Sequence, residues 1–558
     1  MFKFKIDSLE FNSGDTIDIE DNSLTILIGP NSAGKSTALR EIQTALQRQS
    51  NQLVIKTCKI NKEGTEKDFE NWLEKNYPSK INAEGMKVFF TKGQDLQLSQ
   101  VTNSWNDTNR SFQFFCSYLD TKSRLNIAST KGAINPFEQT PSEFIHFLQT
   151  DSELAKEISN EIKESFENEI IINWGGAGQV WFNVGKEPSG ENKVSADYLR
   201  ELNKLPRLDN DGDGIQSFTG CLLSVKCGAH PVLLIDEPEA FLHPPQARRP
   251  GRILAESAKK LKRQIIIATH SSEIIQGALS TQGKVSVCRI TRKDKINNAS
   301  IFKSKELKDL WSKPMLQSSG AIDGIFHKGV IVCEADADCR FYETLLRQKE
   351  INKELSKPSD LYFIHGGGKG EISTLAKSYS SLKVSCTAIA DFDLLRNRSE
   401  FKKLFEILGG KFIDIEKIYK SSIDGLNDLK QIKEIKDFAK EIRLTIDNIE
   451  TENKISNASK KTISNLLSES SDWSVAKKFG IRKLKGGKYK DCEELLNKCK
   501  SVGLFIIPFG ELESWWNAGP ADKNEWVLEA LKEIGINRKT FNDADKFLDE
   551  ICRHFAIK

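Results

Sequence analysis

Residues 23–36 read Ser23-Leu-Thr-Ile-Leu-Ile-Gly29-Pro-Asn-Ser-Ala-Gly34-Lys35-Ser36, and this stretch decides the fold of the first half of the chain. The apolar run predicts a short buried strand, and the G-x-x-x-x-G-K-S pattern predicts a phosphate-binding loop that leads into a helix. In such a loop the backbone N–H groups surround phosphate, the lysine meets the terminal phosphates and the serine binds Mg²⁺. We therefore predict an ATP site that includes Gly29, Asn31, Gly34, Lys35, Ser36 and Thr37.

Two more apolar runs end in polar residues that suit the same site. Residues 231–235 lead into Asp236 and Glu237, and residues 264–268 lead to His270. We expect Asp236 to hold Mg²⁺ and Glu237 to act as the catalytic carboxylate that polarises the attacking water. These residues resemble the Walker B and switch-histidine motifs of ABC-type ATPases over roughly residues 1–300, and the resemblance implies a γ-phosphate contact for His270.

Residues 209–214, Asp-Asn-Asp-Gly-Asp-Gly, begin like a calcium-binding EF-hand loop. The twelfth position is Gly220, where that loop requires a glutamate, so calcium is disfavoured. The overlapping residues 213–218 resemble the signature segment of ABC-type ATPases, which implies an ATP contact for Ser217. In that family the signature of one subunit closes on the nucleotide of another, so the resemblance also implies a homodimer or a higher homo-oligomer.

A second group of acidic residues follows two later apolar runs. Residues 329–333 deliver Glu334, with Asp338 four positions further on, and residues 385–390 deliver Asp391 and Asp393. If a helix begins promptly after Glu334, that residue and Asp338 share one helix face. Because ligands gather at the carboxyl ends of parallel strands, we expect these four carboxylates to bind a divalent metal.

This second pattern resembles the Toprim domain, and an ABC-type ATPase followed by Toprim is the architecture of the OLD (overcoming lysogenization defect) nucleases. The resemblance implies an α/β chain: a P-loop ATPase domain, then a Rossmann-like Toprim domain with a helical insertion. It implies DNA cleavage with Mg²⁺ or Mn²⁺, Glu334, Asp391 and Asp393 being catalytic and Glu511 or Glu513 a further metal ligand. The family also uses a lysine near its carboxyl end, for which Lys539, Lys546 and Lys558 remain open.

The length of 558 residues exceeds what one hydrophobic core supports, so we expect several domains. The predicted division is an ATPase domain at 1–320 with a helical arm within about 45–200, Toprim at 321–400, a basic helical insertion at 401–500, and Toprim completion with C-terminal helices at 501–558. Apolar residues at helical spacing between Leu426 and Ile449 predict a long helix in the insertion.

Positive charge is concentrated in the predicted insertion. Residues 401–500 hold 22 Lys and Arg against 16 Asp and Glu, a net +6, whereas the whole chain has a net +3. Within 477–490 we expect a DNA backbone contact, although a solvated face is the alternative; its candidate residues are Lys477, Lys478, Arg482, Lys483, Lys485 and Lys488. Lys369, in the glycine-rich segment 365–370, is either a phosphate contact or part of an ordinary turn.

The remaining expectations concern place and partners. The eleven cysteines are scattered and no apolar run is long enough to span a membrane, so we expect a cytoplasmic protein. Family analogy implies an antiphage effector with a helicase partner, or with a reverse transcriptase and its DNA product. The alternative is a non-nucleolytic DNA clamp or scaffold gated by ATP, similar to ABC- and SMC-type proteins. Both activation and inhibition of cleavage by ATP remain open.

Overall fold

The computed structural model describes residues 2–46, 53–91, 94–107, 112–135, 138–139, 141–176, 178–190, 192–193, 195–311, 320–355, 359–427, 443, 473–516, 518–520 and 522–557. The chain divides into two compact units, Met1–Gln317 and Ser318–Lys558. No helix in the described ranges combines the length and the apolar character that crossing a bilayer requires.

The first unit contains fifteen strands and twelve helices among its described residues. The strands are β1 (Lys3–Phe11), β2 (Thr16–Asp18), β3 (Ser23–Ile28), β4 (Ile55–Glu63), β5 (Ser79–Ile81), β6 (Lys87–Thr91), β7 (Gln94–Gln97), β8 (Cys116–Leu119), β9 (Lys131–Gly132), β10 (Glu169–Gly176), β11 (Gln179–Gly185), β12 (Val232–Asp236), β13 (Gln264–Ala268), β14 (Lys284–Lys293) and β15 (Ile296–Phe302). The helices are α1 (Lys35–Leu46), α2 (Glu66–Asn76), α3 (Val101–Asn106), α4 (Phe112–Phe115), α5 (Thr121–Ala128), α6 (Phe144–Thr150), α7 (Ser152–Phe166), α8 (Ala196–Leu202), α9 (Asp213–Cys227), α10 (Pro244–Lys260), α11 (Ser272–Leu279) and α12 (Ser304–Trp311).

A six-stranded sheet in the order β15-β14-β3-β13-β12-β8 forms the centre of this unit. All neighbouring pairs are parallel except β14 with β15. Every residue of β3 and β13 is buried, which explains why both read as continuous apolar runs in the sequence. Because β3, β12 and β13 are parallel neighbours, the three segments predicted to bind ATP leave the sheet at one edge.

The second unit is built on a four-stranded parallel sheet in the order β17-β16-β18-β19. Its strands are β16 (Gly329–Cys333), β17 (Leu361–His365), β18 (Ser385–Ala390) and β19 (Leu504–Ile506). Its helices among the described residues are α13 (Asp336–Ile351), α14 (Lys369–Ser381), α15 (Arg398–Ile407), α16 (Phe412–Asn427), α17 (Ser474–Phe479), α18 (Gly486–Ser501), α19 (Lys523–Asn537) and α20 (Asn542–His554).

The core of this second unit joins α13 to α19 and α20 through aromatic side chains. Phe341, Trp526 and Phe541 are buried there, with ring centroids 5.3–5.5 Å apart around Phe341. This packing fixes the start of α19 relative to the sheet. The long helix predicted from Leu426 falls mostly outside the described residues, and the four-part domain division remains a prediction.

Candidate functional site

The phosphate-binding loop lies between β3 and α1, as the sequence predicts. Gly29 and Gly34 have φ values of +142° and +96°, and a Cβ on Gly29 would lie 2.0 Å from the carbonyl oxygen of Ile290, so only glycine fits there. Lys35 is the first residue of α1 and is buried. Its Nζ donates to the carbonyl oxygens of Gly29 at 2.7 Å and Pro30 at 3.1 Å. Burial lowers the pKa of Lys35 to about 8, against the opposing charges of nearby carboxylates.

Ser36 and Asp236 are brought together from positions 200 residues apart. The Oγ of Ser36 donates to Oδ1 of Asp236 at 2.9 Å, and the hydroxyl of Tyr118 donates to Oδ2 at 3.3 Å. Burial, together with the charge of Glu237, raises the pKa of Asp236. A serine hydroxyl and a carboxylate at this distance suit the two protein ligands of a nucleotide-bound Mg²⁺.

His270 faces the carboxylate of Glu237, with its Nε2 3.9 Å from Oε1. The Glu239 side chain supports this arrangement, because its Oε1 accepts from Thr269 Oγ1 at 2.6 Å and from the His270 amide at 3.0 Å. Burial, followed by the charge of Lys35, lowers the pKa of His270. Of the other predicted ATP contacts, Asn31 is exposed in the loop and Thr37 is half-buried in the first turn of α1.

The ATP contact of Ser217 stays a prediction. Ser217 lies one turn inside α9, is only 1% exposed, and its Oγ accepts a hydrogen bond from Nε of Arg124 at 3.0 Å. Its side chain is therefore hydrogen-bonded in the interior of its own unit. The sequence placed the segment before the second ATP strand correctly, but it does not reveal which side of α9 faces outward.

The second acidic group forms at one edge of the parallel sheet of the second unit. Glu334 follows β16 and Asp391 follows β18, which are neighbouring parallel strands. Glu334, Asp391 and Asp393 each offer a carboxylate oxygen, and these oxygens lie within 4.8 Å of one another. Burial raises the pKa of Asp391 well above its usual range, and the charges of Glu334 and Asp338 add to this effect. Crowded, buried carboxylates of this kind fit a divalent cation.

Asp338 has a different position from the one predicted. Helix α13 begins at Asp336, so Glu334 lies before the helix and does not share a helix face with Asp338. The Oδ2 of Asp338 instead accepts from the backbone amide of Ala335 at 2.8 Å and caps the helix. Its Oδ1 lies 3.9 Å from Nζ of Lys523. Within the described residues, Asp338 therefore borders the three-carboxylate group without joining it.

The comparisons with known families agree with this division into two sites. Residues 24–276 match the family described as "AAA domain, putative AbiEii toxin, Type IV TA system". Residues 325–393 match the "Overcoming lysogenization defect protein-like, TOPRIM domain" family. The chain has an AAA-type ATPase domain followed by an OLD-like Toprim domain, which matches the architecture of an OLD-family ATPase–Toprim nuclease. The predicted fold class is thereby confirmed, and the ATPase domain together with the OLD-like Toprim domain indicates a nuclease-type ATPase.

Solved structures resemble parts of this chain at low identity. An SMC head bound to the C-winged helix domain of ScpA has 12% identity and a TM-score of 0.35, covering 54% of this chain and 99% of its own. An Smc head bound to the C-terminal domain of ScpA, derived from Pyrococcus furiosus, has 10% identity and a TM-score of 0.34, covering 56% and 99%. CbiO1 of Clostridium perfringens, part of an ABC transporter complex, has 15% identity and a TM-score of 0.29, covering 55% and 93%. No curated protein matches the chain.

Two lysines flank the acidic group of the OLD-family Toprim domain. Lys523, the first residue of α19, interacts with Asp338, Glu513, Asp391 and Glu334, and these carboxylates raise its pKa although burial lowers it. For the lysine near the carboxyl end that the family resemblance implies, the sequence left Lys539, Lys546 and Lys558 open. Lys539 and Lys546 lie after α19 and within α20, and Lys558 is outside the described residues. No local motif marks Lys523, because its position depends on how α19 packs.

The second lysine is Lys477 of α17, whose Nζ lies 3.1 Å from Oε2 of Glu511. Burial lowers the pKa of Lys477, but Glu511, Asp393 and Asp391 raise it overall. Glu511 and Glu513 therefore border the acidic group, each beside its own lysine. The Oε2 of Glu513 is buried and accepts no hydrogen bond from the described residues. Glu513 thus has the freer oxygen of the two predicted ligands.

Among the other predicted DNA contacts, some side chains are exposed and one is hydrogen-bonded to a neighbouring helix. Lys478 and Lys483 lie over the ring of Phe479, and the Arg482 guanidinium stacks on Phe509 at 3.7 Å. These three cations and Lys485 are exposed. Lys488 is half-buried, and its Nζ donates to the carbonyl oxygen of Ser421 at 3.4 Å, so it joins α18 to α16. Lys369 is the first residue of α14.

Proposed function

We propose that this protein is a divalent-metal-dependent DNA endonuclease whose activity is regulated by ATP. The observation that carries the proposal is the group formed by Glu334, Asp391 and Asp393, with carboxylate oxygens within 4.8 Å of one another. A cation held there, Mg²⁺ or Mn²⁺, would activate water and stabilise the leaving oxygen of a phosphodiester. Glu513, with a buried oxygen beside this group, is the better candidate than Glu511 for a further ligand.

The charges around the metal group support a nucleic-acid substrate. Lys523 and Lys477 interact with the acidic group from two different helices, and exposed Lys478, Arg482, Lys483 and Lys485 continue the positive charge from Lys477. Cations in this arrangement would neutralise phosphates next to the cleaved bond. We propose DNA as the substrate, with Lys523 positioned to contact the reacting phosphate.

The ATP site supports a regulatory switch. Ser36 and Asp236 already lie 2.9 Å apart, while Glu237 and His270 face each other beside them. We propose that Mg²⁺-ATP binds there and that a second copy of the chain completes the site. The role in antiphage defence, with a helicase or a reverse transcriptase and its DNA product as partner, rests on family analogy alone.

The decisive experiment incubates the purified full-length protein with supercoiled or linear DNA, with Mg²⁺, Mn²⁺ or EDTA, and with or without ATP. Wild type is expected to nick or cut DNA only with metal, and Glu334→Gln is expected to abolish cleavage. Glu343→Gln is the matched control, since Glu343 is exposed on α13. Metal-dependent cleavage that survives Glu334→Gln refutes the proposed centre, and its absence in wild type favours the ATP-gated clamp.

A further inference from the structure

Arg124 is a buried cation in the ATPase unit that the sequence did not single out. It lies on α5, directly after β8, and none of its surface is exposed. Its guanidinium donates to five oxygens, all of them uncharged: the carbonyl oxygens of Leu119 (3.4 Å), Asp236 (2.6 Å) and Glu237 (2.8 Å), Thr121 Oγ1 (3.3 Å) and Ser217 Oγ (3.0 Å). Such a network fixes the guanidinium in one place, because each buried N–H that lost its acceptor would be costly.

Two of these bonds reach the backbone of the carboxylate pair at the ATP site. Glu237 has φ = +48°, the left-handed conformation that a residue with a side chain adopts at a cost of about 1–2 kcal/mol. Its amide donates to the carbonyl oxygen of Ala268 at 2.9 Å, and its own carbonyl accepts from Arg124 at 2.8 Å and from the amide of Ala240 at 2.9 Å. The direction of the Glu237 carboxylate therefore depends on three backbone hydrogen bonds, and Arg124 supplies the one that comes from a side chain.

The hydrogen bond to Ser217 Oγ connects Arg124 to α9. Ser217 lies one turn after the start of this helix, and Gly220 lies one turn further. A Cβ on Gly220 would lie 2.0 Å from the carbonyl oxygen of Arg124, so the backbones of α5 and α9 are in direct contact. A displacement of α9 would thus be transmitted to Arg124, and from there to the backbone of Glu237.

We infer that Arg124 is a positioning residue for ATP hydrolysis, which holds the Glu237 carboxylate in its reactive direction and makes that direction depend on the position of α9. The inference rests on the ATPase part of the proposed function. Asp211 and Asp213, at the start of α9, are exposed. A second subunit that docked against this segment would therefore reach Glu237 through Arg124, without contacting the carboxylate itself.

The test compares full-length wild type with Arg124→Lys and Ser217→Ala. Arg124→Lys keeps the charge but not the five donors, and it is expected to lower kcat for ATP hydrolysis about 100-fold, the size of effect that misplacing a catalytic group causes. Ser217→Ala removes only the bond to α9 and is expected to lower kcat about tenfold. The dissociation constant of ATP, measured by fluorescence of a labelled analogue, should be unchanged in both variants. Arg252→Lys, at an exposed site on α10, is the matched control.

Each alternative outcome has a definite meaning. A wild-type kcat in folded Arg124→Lys, or a weaker ATP affinity with unchanged kcat, overturns the inference. If Arg124→Lys does not fold, Ser217→Ala decides, and an unchanged kcat in that variant overturns the inference as well. Absence of ATP hydrolysis in wild type overturns it too. The nuclease proposal is tested by a separate assay, and it fails if wild type shows no metal-dependent DNA cleavage.

Discussion

Replacing Asp391 by asparagine is expected to stabilise the metal-free protein and to abolish its stabilisation by metal. Asp391 is only 7% exposed, and its carboxylate has neighbours in Glu334 and Asp393 within 4.8 Å. At an effective dielectric constant of about 20, two unit charges at that distance repel by about 3 kcal/mol. The raised pKa of Asp391 and the attraction of Lys523 offset part of this repulsion. We therefore expect Asp391→Asn to increase the free energy of unfolding in EDTA by about 2 kcal/mol.

Metal reverses the order of stability. A cation present at about 100 times its dissociation constant stabilises wild type by about 2.7 kcal/mol, because it binds the folded state only. The asparagine side chain of the variant would lack the negative charge that holds the cation, so the variant should gain almost nothing. Thermal and urea denaturation in EDTA, Mg²⁺ and Mn²⁺ measure both differences, and titration calorimetry measures the binding directly.

The control is Asp414→Asn, the same substitution at an exposed position in the first turn of α16. This variant should follow wild type with and without metal, apart from a small loss at the helix terminus. If Asp391→Asn is less stable than wild type in EDTA, or retains the full stabilisation by metal, then repulsion in the three-carboxylate group is not what metal binding relieves.

Three further changes test other parts of the molecule. Lys523→Met is expected to lower the initial rate of DNA nicking about 100-fold, as loss of one transition-state contact does, whereas Lys532→Met, exposed on the same helix, should not. Glu237→Gln is expected to lower phosphate release from ATP about 1,000-fold with ATP binding retained in a filter assay. Burial lowers the pKa of His230 to about 4 from an ordinary value of about 6.5, so the unfolded state takes up a proton first as pH falls. The free energy of unfolding should therefore drop by about 2 kcal/mol between pH 7 and pH 5, and in urea titrations His230→Gln should lose this dependence.

The sequence predicted the strand ends well because the signal is local. A run of buried apolar residues followed by an acidic residue marks the carboxyl end of a central parallel strand, and β12, β16 and β18 follow that pattern, whereas β3 leads into the glycine of the phosphate-binding loop. Because β16 and β18 are parallel neighbours, the residues that follow them, Glu334 and Asp391, lie close together at one edge of the sheet. The same local logic identified the phosphate-binding loop and the Ser36–Asp236 pair.

The positions that the sequence did not indicate depend on packing between distant segments. Lys523 reaches the acidic group because Trp526, one turn later on α19, is buried against Phe341 of α13. Ser217 faces inward because α9 packs directly on α5. The spacing of residues along the chain predicts neither the position of Lys523 nor the inward direction of Ser217. The prediction that Glu334 and Asp338 share a helix face failed for another reason. Residues four apart do lie on one face of a helix, but α13 begins at Asp336, two residues after Glu334, so Glu334 is not part of the helix.

Lys35 and Lys523, the lysines of the two sites, are held in opposite ways, and this difference affects how each site binds its ligand. Lys35 donates to the uncharged carbonyls of Gly29 and Pro30, so a terminal phosphate offers it a stronger partner than it already has. Lys523 is held by several carboxylates, and a cation bound to that group would compete with it for the same charges. Metal binding should therefore weaken the hold on Lys523 and release its ammonium for a phosphate of the substrate. The order expected at the Toprim centre is metal before DNA, whereas the ATP site needs no prior ligand to free its lysine.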